Sequence, residues 1–222
     1  MNVTVNRMIL SFKDMPRLAE QCEKTVLLLR HSMRETLNNG IDPGLTAEGA
    51  DYARQCGTFL AGMKEVSFGA SPRKRTFETA QGLQNGGGFP VSEIETYPEI
   101  SELGLFSHPE NLAAMLKDGS LAEVLRSYFT TGKAPGTVDL EEYARGLSDF
   151  LTQSRFKSRN TILLSHDIVC VSLLLPRRVY PFKLDDWCGY IQGGALLCSK
   201  GQWQLHYIVP DAADRKQHAL FV

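Results

Sequence analysis

Residues Thr25-Val26-Leu27-Leu28-Leu29-Arg30-His31-Ser32 constrain the fold more than any other stretch of the chain. An unbroken apolar run of strand length stops abruptly at an arginine and a histidine. A run without alternation marks a strand covered on both faces, the pattern of a parallel sheet sandwiched between helices. In such sheets ligands bind beyond the carboxyl ends of the strands. Arg30 and His31 are therefore expected side by side at a ligand site. Neutral imidazole is a nucleophile, and guanidinium offers phosphate two donors at once. The pair points to a histidine that accepts a phosphoryl group, a reading that needs partners from elsewhere in the chain.

The rest of the chain alternates strand and helix patterns. Residues 1–24 read as an N-terminal extension with a short helix near Pro16–Cys22, followed by the first strand at 25–30. Asn38-Asn39-Gly40 and Asp42-Pro43-Gly44 are turn chemistry. Thr46 is placed to cap a helix from Ala47 to about Met63, with Ala50, Ala53, Gly57, Leu60 and Ala61 on one face. A strand at 66–70, a helix at 74–83 and a strand at 91–96 follow, with Gly86-Gly87-Gly88 as a turn rather than a phosphate cradle. Residues 107–157 are mostly helical, broken by a loop at 130–137, and read as a helical cap insertion over the site. A strand at 161–165, an apolar helix at 168–175 and two strands at 195–199 and 202–209, either a hairpin turning at Lys200-Gly201 or neighbours at the sheet's edge, complete the pattern. The expectation is a single α/β domain of three layers, a largely parallel central sheet flanked by helices.

Charge narrows the partners. The net charge of −1 offers no attraction to nucleic acid or an anionic membrane, so neither is expected as a partner. No apolar run approaches the roughly 18 residues needed to span a bilayer. Arg7, Lys13, Asp14, Arg17 and Glu20 interrupt the N-terminal residues, which leaves no signal-peptide core. Cys22, Cys56, Cys170, Cys188 and Cys198 are scattered without ligand spacing. They read as free thiols of a cytoplasmic protein, with neither a metal nor a cofactor expected.

Two more strand ends carry chemistry. The strand at 66–70 runs into Ser71-Pro72-Arg73-Lys74-Arg75-Thr76-Phe77-Glu78-Thr79-Ala80. Three cations at the start of a helix oppose its dipole, and a bound anion would compensate them. A solvated basic turn is the plainer alternative. The strand at 161–165 delivers His166-Asp167, so two histidines, His31 and His166, each end an apolar strand beside a charged residue. His108, His206 and His218 lack that context and read as structural.

Leu29-Arg30-His31-Ser32, Leu45-Thr46-Ala47-Glu48-Gly49, Ser71 to Ala80 and Ser165-His166-Asp167 occur in the order of the histidine phosphatase superfamily. Together they resemble its signatures RHG, LTxxG, SxxxRxxxTA and a late strand ending in histidine. The resemblance spans about 25–175 and implies a phosphoglycerate mutase-like fold. It implies that His31 is the phosphorylated nucleophile and that Arg30, Arg75 and His166 hold phosphoryl oxygens, with Arg73 an unassigned neighbour. Two positions depart from the pattern. Ser32 stands where the family has glycine, and Arg34 replaces the glutamate of the RHGE form. Arg34 resembles the RHGxR of the acid phosphatase branch, as His166-Asp167 resembles that branch's HD pair, while Glu102 in Pro98-Glu99-Ile100-Ser101-Glu102-Leu103-Gly104 resembles the mutase branch.

The expected activity is metal-independent hydrolysis of a phosphomonoester through phosphohistidine on His31. Arg30, Arg34, Arg75 and His166 would bind the phosphoryl group. Glu102 is favoured as general acid over Asp167, whose plainer role is to cap a helix, and Glu99 is a nearby alternative whose plainer reading is a solvated loop residue. The alternatives are a phosphoglycerate mutase-type phosphotransferase and a non-catalytic phosphate-binding protein. Trp187 and Tyr190 line the pocket or pack the sheet edge. Neither the substrate nor the oligomeric state is written in the sequence. Lys117, Arg126, Lys133 and Arg145 have no assigned place relative to the pocket.

Overall fold

The apolar run becomes strand β2 (Lys24–Arg30), buried from Thr25 onward at the centre of a seven-stranded sheet. The computed structural model describes residues 3–36, 42–111, 115 and 119–211, and every structural statement below concerns these. On one side β2 pairs in parallel with β5 (Asn160–Ser165), Arg30 opposite Ser165. Beyond β5 lie β3 (Val66–Ala70) and the two-residue β4 (Glu95–Thr96), both parallel. On its other side β2 pairs antiparallel with β6 (Gly193–Ser199), which forms a hairpin with β7 (Gln202–Val209). The sheet is thus mixed but mostly parallel.

Alternate residues of β2 serve opposite layers. Leu27 and Leu29 pack against α1 (Met15–Gln21), α2 (Ala47–Phe59) and α3 (Lys74–Gly86). Val26 and Leu28 face a second core shared with α4 (Ser120–Thr131), α5 (Leu140–Leu151) and α6 (Asp167–Leu174). This is the expected three-layer arrangement, and both faces of β2 are apolar because both are covered.

Several expectations need revision. The segment read as an extension contributes β1 (Val3–Ser11), an edge strand parallel to β7. Most of β1 faces solvent and its register slips between Val5 and Ile9, so it offers no clean apolar period to read. The strand expected at 91–96 shrinks to Glu95–Thr96, and Val91 is exposed. The 107–157 segment is helical as expected, but Leu125, Tyr128, Phe129, Leu147 and Phe150 sink into the core and make it part of a flanking layer. Helix α2 ends at Phe59 rather than near Met63, three residues before a left-handed Gly62, and α3 continues three residues past Leu83. The turn expected at 38–40 lies outside the described residues.

The LTxxG segment has a packing reason. The Thr46 hydroxyl accepts from the Gly49 amide at 2.9 Å and caps α2, while the Thr46 amide donates to the Met33 carbonyl. A Cβ on Gly49 would lie 2.0 Å from that carbonyl oxygen, so α2 can sit this close to the loop after β2 only with glycine there. Gly49→Ala is therefore expected to destabilise the fold by about 2 kcal/mol or more in urea unfolding, and an unchanged midpoint would contradict this close approach.

Candidate active site

Parallel pairing brings the chemistry to one end of the sheet. The His31 amide donates to the Ser165 carbonyl at 2.9 Å, and the Ser71 amide donates to the Leu164 carbonyl at 2.9 Å. The first residues beyond β2 and β3 are thereby tied to the end of β5, which lies between them. The antiparallel entry into β6 meets the same end, since the Arg30 amide donates to the Gln192 carbonyl at 2.8 Å.

His31 is held in one tautomer. Its Nδ1 lies 2.6 Å from the Ser32 carbonyl, which can only accept, so Nδ1 carries the proton and Nε2 keeps its lone pair. Burial lowers its pKa well below 6.5, reinforced by the neighbouring His166, Arg75 and Arg30 against the opposing Ser32 bond. The ring is neutral at ordinary pH. Ser32 does more than stand in for glycine. Its amide donates to Thr79 at 3.0 Å and its hydroxyl to the Gly49 carbonyl at 2.7 Å, fixing the loop that carries His31. Its φ is not positive, so the backbone there does not require glycine.

His166 stands beside it, ring centroids 5.5 Å apart and nearly perpendicular. Arg75 Nη2 donates to His166 Nδ1 at 3.2 Å, so the His166 proton sits on Nε2. That N–H faces two acceptors, Glu102 Oε2 and Ser71 Oγ, each at 2.9 Å. Burial lowers the His166 pKa and outweighs the support of Glu102, in keeping with a neutral ring. Glu102 is the anionic hub. Its Oε1 takes Arg73 Nε at 2.8 Å and Arg75 Nη2 at 3.4 Å, and the Ser101 hydroxyl donates to Oε2 at 3.0 Å. Burial works to raise its pKa, but His166, Arg73 and Arg75 prevail and hold the carboxyl far below the usual carboxylate range.

The cations at the start of α3 thus already have protein anions. Besides Glu102, Asp42 accepts from the Lys74 amide at 2.9 Å and from Arg75 at 3.4 Å. Their crowding does not by itself require a bound anion. Even so, the Nε groups of both Arg30 and Arg75 are buried with no acceptor among the described residues. Buried donors of this kind leave an anion as the natural ligand of the site.

Arg30 is fixed by three contacts. Nη1 donates to the Cys188 carbonyl at 2.6 Å, Nη2 lies 3.5 Å from Asp167, and the Tyr190 ring stacks 4.4 Å from the guanidinium carbon. Tyr190 is also 6.4 Å from the His31 ring, so it belongs to the site wall, whereas Trp187 packs in the core against Phe129 and Phe182. Asp167 is the first residue of α6 and its Oδ1 accepts from the adjacent Ile168 amide, while the N-cap position itself is His166. Arg34 donates to the Glu35 carbonyl and is close enough to Arg75 to repel its charge. Glu99 turns away to an ion pair with Arg155. His108 pairs with Glu110 at the surface, and His206 is buried in β7 opposite the register slip in β1. Lys117 and His218 lie outside the described residues.

The expected phosphate-facing residues are thus brought together. The sequence did not disclose Asp42 or the role of Arg73, because long-range ion pairs leave no local pattern. No group of three histidine, cysteine or carboxylate side chains among the described residues is arranged to hold a metal ion. No helix there is long and apolar enough to cross a membrane.

The profile of the histidine phosphatase superfamily, branch 1, matches residues 26–175. The chain belongs to this superfamily. The match covers the loops after β2, β3 and β5 and places the mixture of branch features within branch 1. Histidine phosphatases and mutases also share the fold. A mycobacterial glucosyl-3-phosphoglycerate phosphatase superposes with a TM-score of 0.55 at 19% identity, covering 83% of this chain and 98% of its own. A phosphoglycerate mutase from Bacillus anthracis gives 0.55 at 17% identity, with 87% and 96% covered. A phosphoserine phosphatase from Entamoeba histolytica, in complex with phosphoserine, gives 0.55 at 16% identity, with 85% and 98% covered. None of the curated proteins matches significantly.

The buried neutral imidazoles fix the sign of a pH effect. In the unfolded chain His31 and His166 take up protons as pH falls through about 6.5, while in the folded protein they resist. The unfolded state binds more protons there, so stability is full above that pH and is lost as pH falls toward the folded pKa values. Glu102, depressed in the fold, adds a loss of the same sign at lower pH. The melting temperature should fall progressively from pH 7.5 to 5, less steeply in His31→Asn. A flat profile would contradict neutral burial.

Proposed function

We propose that this superfamily member is a phosphomonoester hydrolase working through a phosphohistidine on His31. The observation that carries the reading is the His31 tautomer, Nδ1 tied to a carbonyl and Nε2 presented as a lone pair beside Arg30, Arg75 and His166. Nε2 attacks phosphorus in line, and the bond to the leaving oxygen breaks. Phosphoryl transfer asks the protein for positioning and charge stabilisation more than for covalent chemistry. Arg30, Arg75 and Arg34 meet the charge on the phosphoryl oxygens, and His166 contributes its N–H. Water then attacks the phosphohistidine, releases inorganic phosphate and restores His31, so one difficult step becomes two easier ones.

Glu102 is the general acid. It is ionised in the free site because cations surround it. A phosphoryl dianion competes for Arg75 and His166 and repels the carboxylate, both of which raise its proton affinity. Glu102 then protonates the leaving alkoxide and, as the carboxylate, takes a proton from water in the second step. Asp167 is better suited to holding Arg30 and starting α6.

Purified protein should hydrolyse p-nitrophenyl phosphate and simple alkyl phosphates, and His31→Ala should abolish both activities. Glu102→Gln should lower turnover of alkyl phosphates by about 10²–10⁴-fold, and that of p-nitrophenyl phosphate less, since nitrophenolate leaves without an acid. Asp167→Asn should show no such dependence on the leaving group. If Asp167→Asn carries the leaving-group dependence and Glu102→Gln does not, the acid is Asp167. Transfer to an added alcohol or hydroxy acid in preference to water would instead identify a mutase-type phosphotransferase.

A further inference from the structure

Arg73 is the cation at the active site that the reaction as drawn does not use. It occupies the N-cap position of α3 in extended conformation, yet its side chain makes no capping bond. A positive charge there opposes the helix dipole, so the placement is unfavourable unless an anion answers it. The anion is Glu102. Arg73 Nε lies 2.8 Å from Oε1, shorter than the 3.4 Å contact of Arg75 to the same oxygen. Both partners are largely shielded, with side-chain exposures of 22% for Arg73 and 13% for Glu102. An ion pair at this depth is screened far less than one at the surface.

We propose that Arg73 is a positioning residue that anchors Oε1 of Glu102 and so governs where that carboxyl points and the pH range over which it transfers protons. The proposal rests on Glu102 acting as the acid of the reaction described above. The two carboxyl oxygens are divided between tasks. Oε1 belongs to the arginines of α3, while Oε2 meets His166 and Ser101. A phosphoryl group recruits Arg75 and His166, and Arg73 is then the cation that stays with Glu102. It keeps the carboxyl at the reacting end of the sheet and limits how far its proton affinity rises.

The groups that face Glu102 come from several elements. Arg73 and Arg75 approach from the start of α3, His166 from the start of α6, Ser101 from its own loop, and the half-buried Tyr143 of α5 is near enough to feel its charge. Asp42 and Arg34 act on Arg75 in turn. Of these, Arg73 makes the shortest bond to Oε1. Its terminal nitrogens have no acceptor among the described residues, so a direct grip on substrate is the competing role.

Two measurements separate these roles. In urea unfolding, Arg73→Gln, Glu102→Gln and the double variant should be non-additive, because both single changes remove the same Arg73–Glu102 contact. In turnover of an alkyl phosphate, Arg73→Gln should move the limb of the kcat profile that disappears in Glu102→Gln to higher pH by about one unit, with KM little changed. Arg73→Lys, which keeps the charge and loses the Nε donor, should fall between. If Arg73→Gln fails to fold, Arg73→Lys carries both comparisons. Additive unfolding effects or superimposable pH profiles would overturn the proposal, as would a raised KM with an unmoved limb, which marks a substrate anchor. An inactive wild type with a non-additive cycle would refute the hydrolase reading and leave the anchor standing.

Discussion

The parallel pairing of β2 with β5 is the constraint on which the site depends. Arg30 lies opposite Ser165, and the bond from the His31 amide to the Ser165 carbonyl continues the ladder one residue past the strand. That register places His31 and His166 at adjacent strand ends with their rings 5.5 Å apart. A slip of one residue would send β2 side chains to the wrong faces and separate the two imidazoles. Val26 and Leu28 of the same strand pack into one core, and Leu27 and Leu29 into the other. Packing and chemistry are therefore set by the same strand.

Electrostatics then divides the work. Burial keeps both histidines neutral, which gives one a nucleophilic nitrogen and the other an N–H to share. The arginines resist deprotonation and supply lasting positive charge. Within that field Glu102 is held ionised by His166, Arg73 and Arg75. In the proposed reaction the same cations serve phosphate recognition and the proton affinity of the acid. Tyr190 completes the arrangement by stacking on Arg30, whose Nη1 is tied to the Cys188 carbonyl. The guanidinium is held from a face and an edge.

Much of the sheet was legible because its central strands are buried on both sides and carry an uninterrupted apolar signal. Thr46 was readable as a cap because capping is local, and the structure shows that bond. The edge strand Val3–Ser11 was not readable, since its exposure and register slip remove the apolar period. The 107–157 segment was legible as helices but not as a core layer, because amphipathicity states that a face is buried and not against what. In the site, Arg30, His31, Arg75 and His166 follow strand ends and could be named in advance. The pairing of Arg73 with Glu102 spans 29 positions of sequence and could not. Neither could the use of Ser32, whose bonds to Thr79 and Gly49 arise only once α2 and α3 close over the loop.

The claim that His31 is transiently phosphorylated has a direct test in the stereochemistry at phosphorus. An isotopically chiral thiophosphate monoester would be hydrolysed in isotopically labelled water and the configuration of the released thiophosphate determined. Two successive in-line displacements, first by Nε2 of His31 and then by water, predict overall retention. Inversion would mean that water attacks the ester directly, and would contradict the account.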